Sequence, residues 1–128
     1  MIRVALILAG VLVWPLSCTS TPVVSSPTPP LCVEVVGLTG CPNSPELLYR
    51  VQLAAAAVDG DVQVGFIDQQ TLDEADARRL WPAPTVLVHS ADLFGTQPQE
   101  EPAIGYRIYP DGLPSVAQVT ARLQAATD

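Results

Sequence analysis

The side chains in this 128-residue chain best suited to nucleophilic or soft-metal chemistry are three cysteines, Cys18, Cys32 and Cys41, and one histidine, His89. Cys41 opens the run Cys41-Pro42-Asn43-Ser44-Pro45-Glu46, which is dense in helix-start signals. Asn43 or Ser44 can cap, Pro45 suits a first turn, and Glu46 favours the positive helix end. A thiol just before a helix meets unsatisfied N–H groups and the positive end of the dipole. Both favour the thiolate, which is the form that attacks disulfides and binds soft metals. Ser44 stands where its hydroxyl could hydrogen-bond that thiolate. Cys41 is therefore the candidate for chemistry, set against the plainer role of a half-buried thiol that only packs.

Cys32 is excluded as its intramolecular partner. The extended run between them separates the two by about 20 Å at roughly 3.3 Å per residue, whereas a disulfide needs Cα atoms within about 7 Å. Without a resolving cysteine nearby, a full dithiol–disulfide cycle cannot run within the chain. What remains is a mixed disulfide with a small thiol or a partner protein, or one-point capture of a soft metal such as mercury. His89 reads as a strand-end or surface histidine and Asp68 as a turn residue. Tyr106 and Tyr109 alternate for one sheet face as core or rim. Trp81 either shields the Cys41 corner or closes a helix onto the sheet. The acids Asp73, Glu74 and Asp76 read as a solvated helix start, not a metal site.

Composition narrows the partners. Thirteen acidic residues stand against six basic ones, all arginine, for a net charge of −7. An acidic chain without lysine offers no basic surface for nucleic acid or for anionic membranes. Phosphate-cradling glycine loops, zinc-protease and serine-hydrolase signatures are absent, and no cofactor is expected.

The first residues read as an address. Arg3 gives a positive start, and Val4–Trp14 is apolar but too short to span a bilayer. Residues 1–17 are thus expected to be a signal peptide. Cys18, preceded by the small Ser17, resembles the lipobox cysteine of bacterial lipoproteins, which becomes lipidated. Ordinary cleavage with secretion and an uncleaved anchor are the alternatives, and all three put the domain outside the cytoplasm. Thr19–Pro30 holds four prolines among serines and threonines, and together with Cys18 it makes residues 18–30 a semi-stiff tether. Loss of Arg3 with the signal would take the net charge from −7 to −8.

Residues 31–128 remain for one domain. Cys32–Leu38 reads as a buried strand, then comes a helix with Leu47, Val51, Ala54 and Val58 at helical spacing. Val62–Ile67 alternates as a second strand. Thr71-Leu72-Asp73-Glu74 has the pattern of a capping box opening a helix through Leu80. Thr85–His89 is a third strand, and Leu93 and Phe94 lie in a polar loop where they could fold back as a lid. Ile104–Tyr109 reads as a fourth strand, and Ser115 caps a last helix through about Ala126. The order is β-α-β-α-β-β-α. Two strand–helix–strand crossovers call for parallel pairing, and a late pair adds an antiparallel element.

With those elements in place, Gly40-Cys41-Pro42-Asn43 before a helix and Ala83-Pro84-Thr85 before a strand resemble the thioredoxin-like superfamily. The likeness is to a bacterial G-C-P-N subset sometimes labelled alkylmercury-lyase-like, and it spans almost all of 33–126. It implies a thioredoxin-like α/β fold with a four-stranded mixed sheet and three helices. It also implies that Pro84, typically cis in that family, sits against Cys41. Two departures qualify the implied chemistry: the family's C-x-x-C is here Cys41-Pro42-Asn43-Ser44, and the subset's late cysteine is replaced by Tyr106. A single thiol argues against an alkylmercury lyase. The expectation is an exported, lipid-anchored, monomeric protein at the cell envelope. It would use Cys41, with Ser44 and Pro84, for thiol–disulfide exchange or binding with envelope protein thiols or small thiols. The rival is a non-catalytic interaction module that kept the fold and lost its redox pair.

Overall fold

The computed structural model describes residues 29–102 and 105–128. The segment read as an export signal, Cys18, Ile104 and most of the tether lie outside the described residues.

Four strands form one mixed sheet in the order β2-β1-β3-β4. They are β1 (Leu31–Gly37), β2 (Val62–Asp68), β3 (Thr85–Val88) and the two-residue β4 (Ala91–Asp92). β1 pairs parallel with β2, Leu31 opposite Val62 and Gly37 opposite Asp68. It pairs antiparallel with β3, and β3 pairs antiparallel with β4. The first crossover is therefore parallel as expected. The second is not: β3 runs in the opposite sense, because 69–84 leaves and re-enters the sheet at the same end, with Asp68 opposite Gly37 and Thr85 opposite Val36.

Two α-helices, α1 (Asn43–Ala57) and α2 (Val116–Thr127), cover one face of the sheet. α1 buries Leu47, Val51 and Ala54, the stripe its spacing predicted. α2 buries Val119 and Leu123. Val33 and Val35 of β1 and Val86 and Val88 of β3 complete this core from below. Ser115 caps α2 in a reciprocal capping box with Gln118, as its position implied.

The opposite face shows why a third helix does not form. Instead of a helix through Leu80, the chain makes two short 3₁₀ helices, Gln69–Thr71 and Ala77–Leu80. Each begins on an aspartate whose carboxylate accepts an amide two residues on, Asp68 from Gln70 and Asp76 from Arg78. The Thr71 hydroxyl donates back to the Asp68 carbonyl and does not open a capping box. Trp81 closes this segment onto the sheet against Val36, Leu87 and Ile67. Gln69 is fully buried and donates to the carbonyls of Arg78 and Trp81. A packed tryptophan and a buried amide thus do the covering that a helix would have done.

The expected fourth strand is also displaced. Ala91–Asp92 pairs instead, after a two-residue turn in which His89 and Ser90 both adopt positive φ. Of the segment expected to be that strand, Gly105–Tyr109 makes one bridge, Tyr106 beside Ala83. Leu93 and Phe94 pack against the main core.

Candidate functional site

The site is built where β1 ends. Leu38-Thr39-Gly40-Cys41 form a tight turn closed by the Cys41 amide donating to the Leu38 carbonyl at 3.1 Å. Gly40 takes φ +91, the left-handed conformation the third position of a type II turn demands. The turn delivers Cys41 directly ahead of α1, and its carbonyl accepts from the Ser44 amide at 3.1 Å. Pro42 occupies the cap position in helical geometry, and no side chain caps α1. Asn43 and Ser44 are therefore inside the helix instead of capping it.

Ser44 is fully buried, and its hydroxyl oxygen accepts from the Leu38 amide at 3.1 Å. That bond satisfies the turn and locks the first helical residues onto the end of β1. The close approach needs Gly37, since a Cβ there would lie 2.8 Å from the Ser44 oxygen and 2.6 Å from the Phe66 ring.

Cys41 is 5% exposed and packs with Leu38 and Ala83 in a small apolar cluster. Ala83 precedes Pro84 through a cis peptide bond, and Pro84 is itself buried. The two motifs singled out in the sequence thus meet in space, through Ala83. Cys32 lies towards the opposite end of β1, opposite Gln63. No disulfide joins it to Cys41.

Beside the thiol an open depression of ≈ 390 Å³ faces solvent on the β2 side of α1. Its walls are mainly apolar: Leu38, Pro42, Pro45, Leu48 and Phe66, with Cys41 also lining it. Thr39 also lines it, and its hydroxyl donates to the Asp68 carboxylate at the end of β2. That bond, with the Gln70 amide, holds Asp68 below the usual carboxylate range. Asp68 is thus more than a turn residue. The parallel pairing of β1 and β2 sets both C-terminal ends side by side, and this was the signal that could have placed Asp68 beside Thr39 of the turn.

A second polar group supports the proline. Arg107 and Asp92 form an ion pair at 2.9 Å with side chains 9% and 0% exposed. Asp92 also accepts from the Phe94 and Thr96 amides, and Arg107 donates to the Thr85 and Thr96 hydroxyls. Arg107 stacks over Tyr109, whose hydroxyl donates to the Pro84 carbonyl at 2.7 Å. None of these partnerships was apparent from spacing. Tyr106 is 70% exposed. His89 is exposed in the β3–β4 turn, and Asp76 pairs with Arg78.

Among the described residues, no three His, Cys, Asp or Glu side chains gather to hold a metal ion. Nor is any helix among them long and apolar enough to cross a membrane. Compared with known proteins, the chain matches no family model, no curated protein and no solved structure.

Proposed function

We propose that this chain is an exported, lipid-anchored protein of thioredoxin-like fold whose Cys41 is a reactive thiol working at the cell envelope. The observation that carries the reading is the packing of Cys41 against Ala83, beside an open depression. A thiol at a helix start, a buried proline next to it and a four-stranded mixed sheet behind both are what the resemblance implies. Two 3₁₀ helices stand in for the third helix. Cys18 supplies the lipid attachment point and residues 18–30 the tether.

The chemistry is one exchange step. The Cys41 thiolate attacks one sulfur of a disulfide R–S–S–R′, forming Cys41–S–S–R and releasing R′–S⁻, which takes up a proton. A second thiol from outside the chain then attacks the mixed disulfide and frees Cys41. Ser44 positions the turn, and Pro84 fixes the wall beside the sulfur.

The low exposure of Cys41 favours a second reading, an interaction module in which the thiol only packs. One experiment separates them. The full chain is exposed to a small disulfide, and adducts are mapped by mass spectrometry after cleavage at Glu34 and Glu46, which isolates Cys41 in peptide 35–46. A Cys41 adduct that forms in the native protein and is released by added thiol supports the exchange reading. Modification of Cys41 only after denaturation defeats it in favour of the interaction module.

A further inference from the structure

The depression beside Cys41 has a chemical character of its own. Leu38, Pro42, Pro45, Leu48 and Phe66 come from the end of β1, the start of α1 and β2, and together form an apolar wall of side-chain size. The polar groups beside it are already committed. The Thr39 hydroxyl binds Asp68, and the buried Ser44 hydroxyl accepts from Leu38. No charged side chain lines it; Asp68 is joined to it through Thr39, and Glu46 follows the lining residue Pro45 in the first turn of α1. The cation of that helix, Arg50, is bound to Glu46 and to the carbonyls of Leu113 and Pro114. The positive end of α1 carries Glu46 in its own first turn, in a chain of net charge −7.

From this we infer that the depression selects the group on the disulfide attacked by Cys41: an uncharged, apolar or aromatic group is accepted, and an anionic one is turned away. The inference rests on the exchange reading above and goes beyond it by naming the substrate class. The apolar group fills the space against Leu48 and Phe66 while its sulfur meets Cys41. A carboxylate carried to the same place loses its water and finds no cation among the lining residues. The natural reactant is thus a disulfide flanked by apolar groups, in preference to one rich in carboxylates.

The test uses the full chain and two probes, neutral 4,4′-dithiodipyridine and oxidised glutathione. Adduct on peptide 35–46 is timed by mass spectrometry, and each rate is divided by that of free cysteine with the same probe. The expected result is a normalised preference of at least about tenfold for the neutral aromatic disulfide, shrinking as salt is raised. In Leu48→Gln and Phe66→Ser the preference is expected to fall several-fold. Either variant suffices if the other does not fold. Equal normalised rates, or a preference that survives both substitutions, would overturn the inference and leave the exchange reading standing. Absence of any Cys41 adduct with either probe in native protein overturns both.

Discussion

The phenol of Tyr109 donates a 2.7 Å hydrogen bond to the carbonyl of Pro84, so the residue that follows Ala83, which packs on Cys41, is tied to a side chain twenty-five positions further along. Burial pushes the Tyr109 hydroxyl up to about 12; Arg107 opposes this shift and Asp92 adds to it. Because the folded value lies above the unfolded one, this bond's contribution is complete below about pH 10. It is lost as pH rises through about 12. Tyr109→Phe removes the donor and is expected to cost about 1–2 kcal/mol at neutral pH. Urea melts of both proteins at pH 8 and pH 11.5 check this: the gap should narrow at the higher pH. Equal stability at pH 8 would show the bond to be idle.

The Arg107–Asp92 pair behind Tyr109 makes a different prediction. Its side chains are nearly inaccessible, so removing one partner strands the other charge. Arg107→Met is expected to lose about 3–5 kcal/mol. Asp92→Asn removes the stranded charge and keeps an acceptor for one of the Phe94 and Thr96 amides, so adding it to Arg107→Met should restore part of the loss. A double variant no more stable than Arg107→Met alone would refute the stranded-charge account.

These two networks mark where the sequence was silent. The apolar stripe of α1, the β1–α1–β2 parallel unit and the Ser115 cap were legible because each is written in local spacing. The Cys41 turn was legible because Gly40, Pro42 and Pro45 punctuate it. The segment 69–81 was misread because Thr71 and Glu74 have the spacing of a capping box. Two aspartates offering local amide caps, and a tryptophan with a sheet face to fill, outcompete that pattern. Gly105–Tyr109 alternates like a strand, but Arg107 and Tyr109 turn to Asp92 and Pro84. Long-range polar partners leave no periodic trace, and for that reason the support of Pro84 went unseen.

Acid should reveal Asp76. Its hydrogen bonds from Arg78 lower it to about 2, and its side chain is 23% exposed. A depressed carboxyl contributes stability above its unfolded value near 4, which is lost as pH falls through about 2. Discounted for screening, the contribution is about 1 kcal/mol. Asp76→Asn is expected to be less stable than the parent at pH 6 by that amount and to converge with it at pH 2. A constant difference across the range would point to packing instead of charge.

The β3–β4 turn runs through His89 at φ 52 and Ser90 at φ 63, a conformation that costs an L-residue with a Cβ. Ser90→Gly is expected to gain about 0.5–1 kcal/mol, even after glycine's larger unfolded-state entropy is counted. A rise in melting temperature of several degrees would register it. A fall would mean that the Ser90 side chain contributes more than its backbone costs.

The tightest constraint on the site lies between Gly37 and Ser44. A methyl group at Gly37 would meet the Ser44 Oγ at 2.8 Å, its Cβ at 2.9 Å and the Phe66 ring at 2.6 Å. Phe66 is 39% exposed and its ring can swing outward, whereas Ser44 is buried in the first turn of α1 and cannot. Gly37→Ala is therefore expected to lift the start of α1 from the sheet and cost about 1–3 kcal/mol. Ser44→Ala leaves the Leu38 amide buried without its acceptor, at a similar cost of about 1–3 kcal/mol. In the double variant the Oγ clash disappears but the Cβ contact persists, so the two losses should combine to less than their sum without cancelling. Urea melts of the four proteins, with unchanged denaturant slopes, measure that coupling. Strict additivity would show that Gly37 and Ser44 act apart, and that the turn carrying Cys41 is not held by their approach.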